Sequence, residues 1–124
     1  MIESTIITYL LNRTSAGTDV FAERPTEIPD MFIVVEKTGS TTNNRITTST
    51  FAIQSISDSL QDGSMLQAIT LNEEVKAALL GDQDDYGIVE LDDIVSIELN
   101  SDYNFTDTET SEYRYQAIFA ITHY

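Results

Sequence analysis

Cysteine and tryptophan are absent from this chain, and Lys and Arg together supply only six of its 124 residues. The missing cysteine excludes a disulfide framework, thiolate catalysis and cysteine-ligated zinc. The single histidine, His123, has no second histidine or cysteine with which to build a zinc site of the usual kind, so it reads as an edge-of-core residue. No apolar run approaches the ~20 residues of a membrane-spanning helix. The start, Met1-Ile2-Glu3-Ser4-Thr5, has neither the basic region nor the apolar run of a signal or transit peptide. These absences lead us to expect a soluble protein made in the cytosol, with no membrane contact.

The scarcity of positive charge is the most informative absence. Six cations face twenty-one Asp and Glu, for a formal net charge of −15. Affinity for nucleic acid rests on cations that neutralise phosphates, so the balance argues against direct nucleic-acid binding. It also favours solubility and opposes casual self-association. Catalytic signatures are missing as well. There is no Gly-x-Ser-x-Gly elbow, and Gly39, Gly63, Gly81 and Gly87 are scattered singly at expected turns rather than gathered in a phosphate-cradling loop. A carboxylate pair for glycoside hydrolysis would need an enclosed sugar-binding groove, which a small chain without tryptophan does not suggest. We assign no catalytic, cofactor-binding or metal-ligating residue and expect no enzyme.

What is present is a series of periodic segments, enough for one domain over residues 1–124. Ile2, Ile6, Tyr9 and Leu10 follow helical spacing, widened by Ile7 and Leu11, and predict an amphipathic helix over 2–13. The polar run 14–18 is a turn, and 19–23 a short strand. Pro25 and Pro29 make residues 24–30 an extended connector, since proline fixes φ and lacks an amide donor. Met31 to Lys37 is nearly continuous apolar, β-branched sequence, as in a strand buried on both faces. The small polar residues 38–45 predict an exposed hairpin loop. Residues 46–57, with Phe51 and Ile53 on one face, predict a half-solvated strand.

Asp58 and Gln61 have capping-box spacing and could start a second helix, although Ser64 with Gln67 and Thr70 with Glu73 repeat that spacing and Gly63 disfavours the first choice. Met65, Ala68, Ile69, Val75, Ala78 and Leu79 can share one face of it, and Gly81 is placed to end it in a left-handed conformation. Residues 82–87 form an acidic turn and 88–91 a short extended piece. From Ile94 to Tyr124 the chain reads as a closing hairpin. Val95, Ile97 and Leu99 alternate with polar residues, as do Tyr113, Tyr115, Ala117, Phe119 and Ile121, around a long acidic loop from Ser101 to Glu112. The order predicts an α+β fold, an antiparallel-dominated sheet of about four to five strands with two helices packed on one face.

Two local patterns are open to a chemical reading. Asp82 and Asp84, with Gly87 at the sharp-turn position and Asp93 at the last, resemble a calcium loop of the EF-hand kind. Tyr86 departs from that pattern at the fifth position, and Asp93 is shorter than the bidentate Glu such loops prefer. An acidic turn after a helix accounts for the same residues. Asn12-Arg13-Thr14 and Asn104-Phe105-Thr106 match the glycosylation acceptor pattern, which has meaning only in a secreted protein.

Interaction fits the sequence better than catalysis. The loop around Asn43, Asn44 and Arg45 and the aromatic pair Tyr103 and Phe105 could project from the sheet, and aromatic residues are enriched at interfaces. The ordered set of motifs resembles the small tail terminator and tail completion proteins of long-tailed bacteriophages. It comprises an N-terminal helix, a Pro-bounded lead into Phe32-Ile33-Val34-Val35-Glu36-Lys37-Thr38-Gly39, the strand Phe51-Ala52-Ile53-Gln54-Ser55, and the helix end Val75-Lys76-Ala77-Ala78-Leu79-Leu80. Tyr103-Asn104-Phe105 and Arg114-Tyr115-Gln116-Ala117 follow. Gly63 and the acidic residues 82–93 depart from that pattern. The resemblance implies a non-enzymatic virion protein of the tail or neck, assembled in the host cytoplasm. It would form a homo-oligomeric ring, commonly a hexamer, that caps the tail tube, stops its growth and presents a surface for head joining. Implied partners are its own copies, the major tail tube protein and head-tail connector proteins, with DNA passing through the ring; the acidic residues 82–93 of this chain suggest the further hypothesis of an acidic lumen that keeps DNA from sticking. A neck protein on the connector side, or a small acidic calcium-binding module built on Asp82, Asp84 and Asp93, are the alternatives.

Overall fold

A computed structural model describes residues 2–27, 29–58, 64–81, 86–104 and 112–124. The elements run α1 (Ile2–Leu10), β1 (Val20–Phe21), β2 (Met31–Asn43), β3 (Ile46–Asp58), α2 (Ser64–Leu80), a 3-10 turn (Gly87–Glu90), β4 (Ile94–Asn104) and β5 (Glu112–His123). The strands form one sheet in the order β1-β2-β3-β5-β4. Every pairing is antiparallel except β1 with β2, where Val20 and Phe21 run parallel to Ile33 and Val34. The fold is the α+β arrangement expected, with both helices on one face.

Alternation decides which strand residues meet the helices. Ile33 and Val35, Phe51 and Ile53, and Ala117, Phe119 and Ile121 turn to the helical side. There they pack with Ile6 and Leu10 of α1 and Leu71, Val75 and Leu79 of α2. Phe51 and Phe119 are register partners, both fully buried, each stabilising the fold by roughly 1.5–3 kcal/mol relative to exposure. The opposite face holds a smaller cluster of Phe32, Val34 and Ile56. Phe21 of β1 meets Phe32 edge to face, with ring centroids 6.3 Å apart.

Several boundaries differ from the sequence expectation, each for a local reason. Helix α1 stops at Leu10 rather than Arg13, because Asn12 takes a left-handed φ of 61° that ends helical hydrogen bonding. The expected loop 38–45 is mostly strand. β2 continues to Asn43, and only Asn44 and Arg45 form the turn, both at positive φ (52° and 70°) as a two-residue hairpin of type I′ requires. Burial on both faces ends at Val35, and Glu36 and Lys37 are exposed. Asp58 is the last residue of β3, not a helix cap, and α2 begins at Ser64. Met65, expected in the buried stripe of α2, is 40% exposed, and Leu71 takes that place.

Gly81 does end α2 at a φ of +79°, with its amide bonded to Ala77 O at 2.9 Å. Residues 88–91 are not extended, because Ile88 to Glu90 lie in the 3-10 turn. Val95, expected in the core, is 46% exposed. A bulge between Ile94 and Ser96 leaves it unpaired, and Ile94 takes the buried position instead. The loop expected over 101–112 is shorter, since Ser101 to Asn104 belong to β4 and Glu112 to β5. His123 lies at the edge of the core as expected, with Nε2 2.8 Å from Oγ of buried Ser49.

Candidate interaction surfaces

The residues singled out from sequence fall at opposite ends of the sheet. Asn43, Asn44 and Arg45 form the exposed tip of the β2–β3 hairpin. Tyr103 lies near the far end of β4, where it pairs with Gln116, itself paired with Gln54. Gln54 is eight residues along β3 from Ile46 at the tip, about 26 Å at ~3.3 Å per residue. The structure therefore separates the two candidates. Phe105 falls outside the described residues.

Tyr103 is 43% exposed on the face away from the helices. Its hydroxyl accepts a hydrogen bond from Gln116 Nε2, and Gln116 Oε1 accepts one from Gln54 Nε2 at 3.2 Å. This polar ladder crosses β4, β5 and β3. Nearer the hairpin tip, on the same face, the Thr48 and Thr122 hydroxyls are 3.1 Å apart. No described helix covers this side, which beyond the Phe32 cluster mixes these polar residues with Ala52, Ile118 and Ala120.

Ion pairs tie distant segments together. Arg24 of the connector donates from both Nη atoms to the buried Glu112 carboxylate at the start of β5, with Nη1 to Oε1 at 2.9 Å, and its carbon lies 5.8 Å from the Phe32 ring centroid. The hydrogen bond to Glu112 raises the Arg24 pKa, against a smaller opposing effect of burial. Lys76 of α2 donates to Asp102 of β4 at 2.7 Å and to Glu73 at 2.8 Å. Those hydrogen bonds raise the Lys76 pKa, Asp102 contributing most. In return the Lys76 hydrogen bond holds the Asp102 carboxyl below its ordinary value. Arg13 lies 4.0 Å over the Tyr9 ring and 3.6 Å from Glu90. Sequence reading missed these pairs because periodicity carries no information on partners far apart in the chain.

No group of three His, Asp or Glu side chains among the described residues is placed to hold a metal. Asp82 and Asp84 of the calcium-loop pattern lie outside the described residues, and Asp93 is exposed. Gly87 has a packing reason of its own. At a φ of +72°, an added Cβ would lie 2.4 Å from Leu79 O and 2.7 Å from Gly81 N. A groove of about 480 Å³ beside α1 is lined by Ser4, Thr5, Thr8, Tyr9, Arg13 and Leu91, with no carboxylate or imidazole. No described helix is long and apolar enough to cross a membrane.

No protein-family model matches this chain, and no curated protein sequence matches it. Among solved structures, it is similar in fold to a chain of the virion of native gene transfer agent (GTA) particle. The TM-score is 0.68 at 14% identity, over 98% of this chain and 93% of that one. At that identity the likeness is one of fold.

Proposed function

We propose that the chain is a structural protein of a tailed phage or phage-like virion. Within that class we assign it the role of a tail terminator, a ring subunit that caps the tail tube and offers the surface for head joining. The observation that carries the reading is a fold shared over almost the full length of both chains with a component of a GTA virion. The ordered sequence motifs support the narrower role. So does the placement of the hairpin tip and Tyr103 at opposite ends of one sheet, which suits a protein that joins two different structures. The role needs a rigid wedge and self-complementary sides, not catalytic residues.

The test is addition of the purified chain to assembled tail tubes that lack a terminator. Density at one tube end and arrest of further tube growth support the role. Binding only to isolated connectors would move the chain to the neck, and binding to neither would end the reading.

A further inference from the structure

Charge is segregated along this chain. Residues 37–57 contain Lys37 and Arg45 and no acid, whereas residues 77–113 contain eleven acids and no Lys or Arg. Among the described residues, the fold sets the β2 part of the first stretch, residues 37–43, and the β4 part of the second, residues 94–104, on opposite edges of the sheet. β1 covers β2 only at Ile33 and Val34, so Glu36 to Asn43 form an open edge, and β4 is the open edge on the other side. Arg13, Arg24 and Lys76 have acidic partners, and Lys37 and Arg45 have none among the described residues. The β2 edge thus carries exposed Lys37 beside exposed Glu36, with Arg45 at its tip, and the other edge carries exposed Asp92, Asp93 and Glu98.

We propose that the β2 edge of one copy joins the β4 edge of a second copy, head to tail, and that this junction is the side-to-side contact of the ring. The inference rests on the ring reading above. Three features of the sheet carry it. First, β2 and β4 run in opposite directions, because β2 opposes β3, β3 opposes β5 and β5 opposes β4. A second copy added edge to edge in the same orientation therefore meets the first in antiparallel register, whose open amides and carbonyls are mutually complementary.

Second, the rows of paired residues set the charged positions at similar levels. The row through Lys37 runs Lys37, Phe51, Phe119, Leu99, so Lys37 is one residue along the edge from the level of Glu98, whose side chain is on the other face of the sheet. The row near the tip runs Thr42, Thr47, His123, Ile94, so Arg45 just beyond it is level with Asp92 and Asp93. Third, the screening length at physiological ionic strength is about 8 Å. Repulsion between the two acidic bodies is therefore screened beyond the contact itself. An interface that joins unlike edges does not close on itself as a pair, and it propagates until rotation closes a ring.

Two experiments test the junction. In the first, K37E/R45E and D92K/E98K variants are each purified, checked for wild-type thermal unfolding, and sedimented alone and mixed. Each alone should be monomeric where wild type associates, and the mixture should recover association, since its edges are again opposite in sign. In the second, the cysteine-free background allows Thr41→Cys and Ser96→Cys in one chain. Thr41, Thr48, Thr122 and Ser96 form one row, so the two sites lie three strand spacings apart, roughly 14 Å within a copy at ~4.8 Å per spacing. A disulfide between them must then join two copies. Oxidation should give a ladder of covalent oligomers, absent in either single variant. Wild-type monomer throughout, association that persists unchanged in K37E/R45E, or no ladder would overturn the junction. Tail-tube capping by the same preparations reads the terminator role separately, and its loss in wild type would remove that role instead.

Discussion

Arg24 and Glu112, 88 residues apart in sequence, form a two-pronged ion pair in which the carboxylate is buried and the guanidinium is half-exposed. It fixes the proline-bounded connector against the first residue of β5. Arg24→Ala leaves a buried acid without its donor and should cost about 1–3 kcal/mol. Arg24→Lys should recover only part, because an ammonium cannot make both parallel bonds. Urea midpoints check this, and an unchanged midpoint for Arg24→Ala would show that the connector is held by other contacts.

The Lys76–Asp102 pair sets a pH dependence of stability. Asp102 is held below its ordinary 3.8 by the Lys76 hydrogen bond, so its contribution is complete above about pH 4 and fades as pH falls through the lowered folded value. Lys76 is raised above 10.5, so its share is complete below that pH and fades as pH rises through the raised value. Asp102→Asn should flatten the acid limb and reduce the alkaline one, where Glu73 still holds Lys76 raised, by at most about 1 kcal/mol at neutral pH for a partly exposed pair. Thermal unfolding of the two proteins across pH 3 to 11 measures it, and parallel curves would contradict it.

Arg45 occupies a turn position, at a φ of 70°, where glycine is the favoured residue. Arg45→Gly should raise stability by a few tenths to about 1 kcal/mol, the relief of left-handed strain being partly offset by glycine's unfolded-state entropy. It should also weaken association between copies, since it removes a free cation from the β2 edge. A thermal midpoint below wild type would contradict the turn assignment.

Gly87→Ala combines a disfavoured φ with a Cβ pressed against the backbone of Leu79 and Gly81. A loss of more than about 3 kcal/mol, or failure to fold, is expected. Calcium should not rescue the variant, because the glycine serves packing against the end of α2. Calcium-dependent recovery of its thermal unfolding would restore the ion-loop reading.

Residues that answer to periodicity were legible in the sequence. Phe51, Ile53, Phe119 and Ile121 went to the core because strand alternation has only two faces, and Gly81 ended its helix because few residues accept its φ. What depended on one-residue offsets was not legible. A bulge turned Val95 outward and Ile94 inward, and the exchange of Met65 for Leu71 followed from where α2 starts. The candidate contacts at Asn44 and Arg45 were found because turn residues are distinctive. The β2 extension that carries them to the end of a long edge was hidden by its Thr- and Ser-rich composition, which suits loops as well as solvated strands. The charge segregation between residues 37–57 and 77–113 is visible in the sequence, but its meaning depends on the strand order that sets β2 and β4 on opposite edges.

The proposed role is that of a cap on a tail tube. Negative-stain imaging of terminator-free tail tubes, before and after addition of the purified chain, tests it most directly. The expected result is a ring at one end of each tube and no further elongation when free tube protein is supplied. Bare tube ends and continued growth would contradict it.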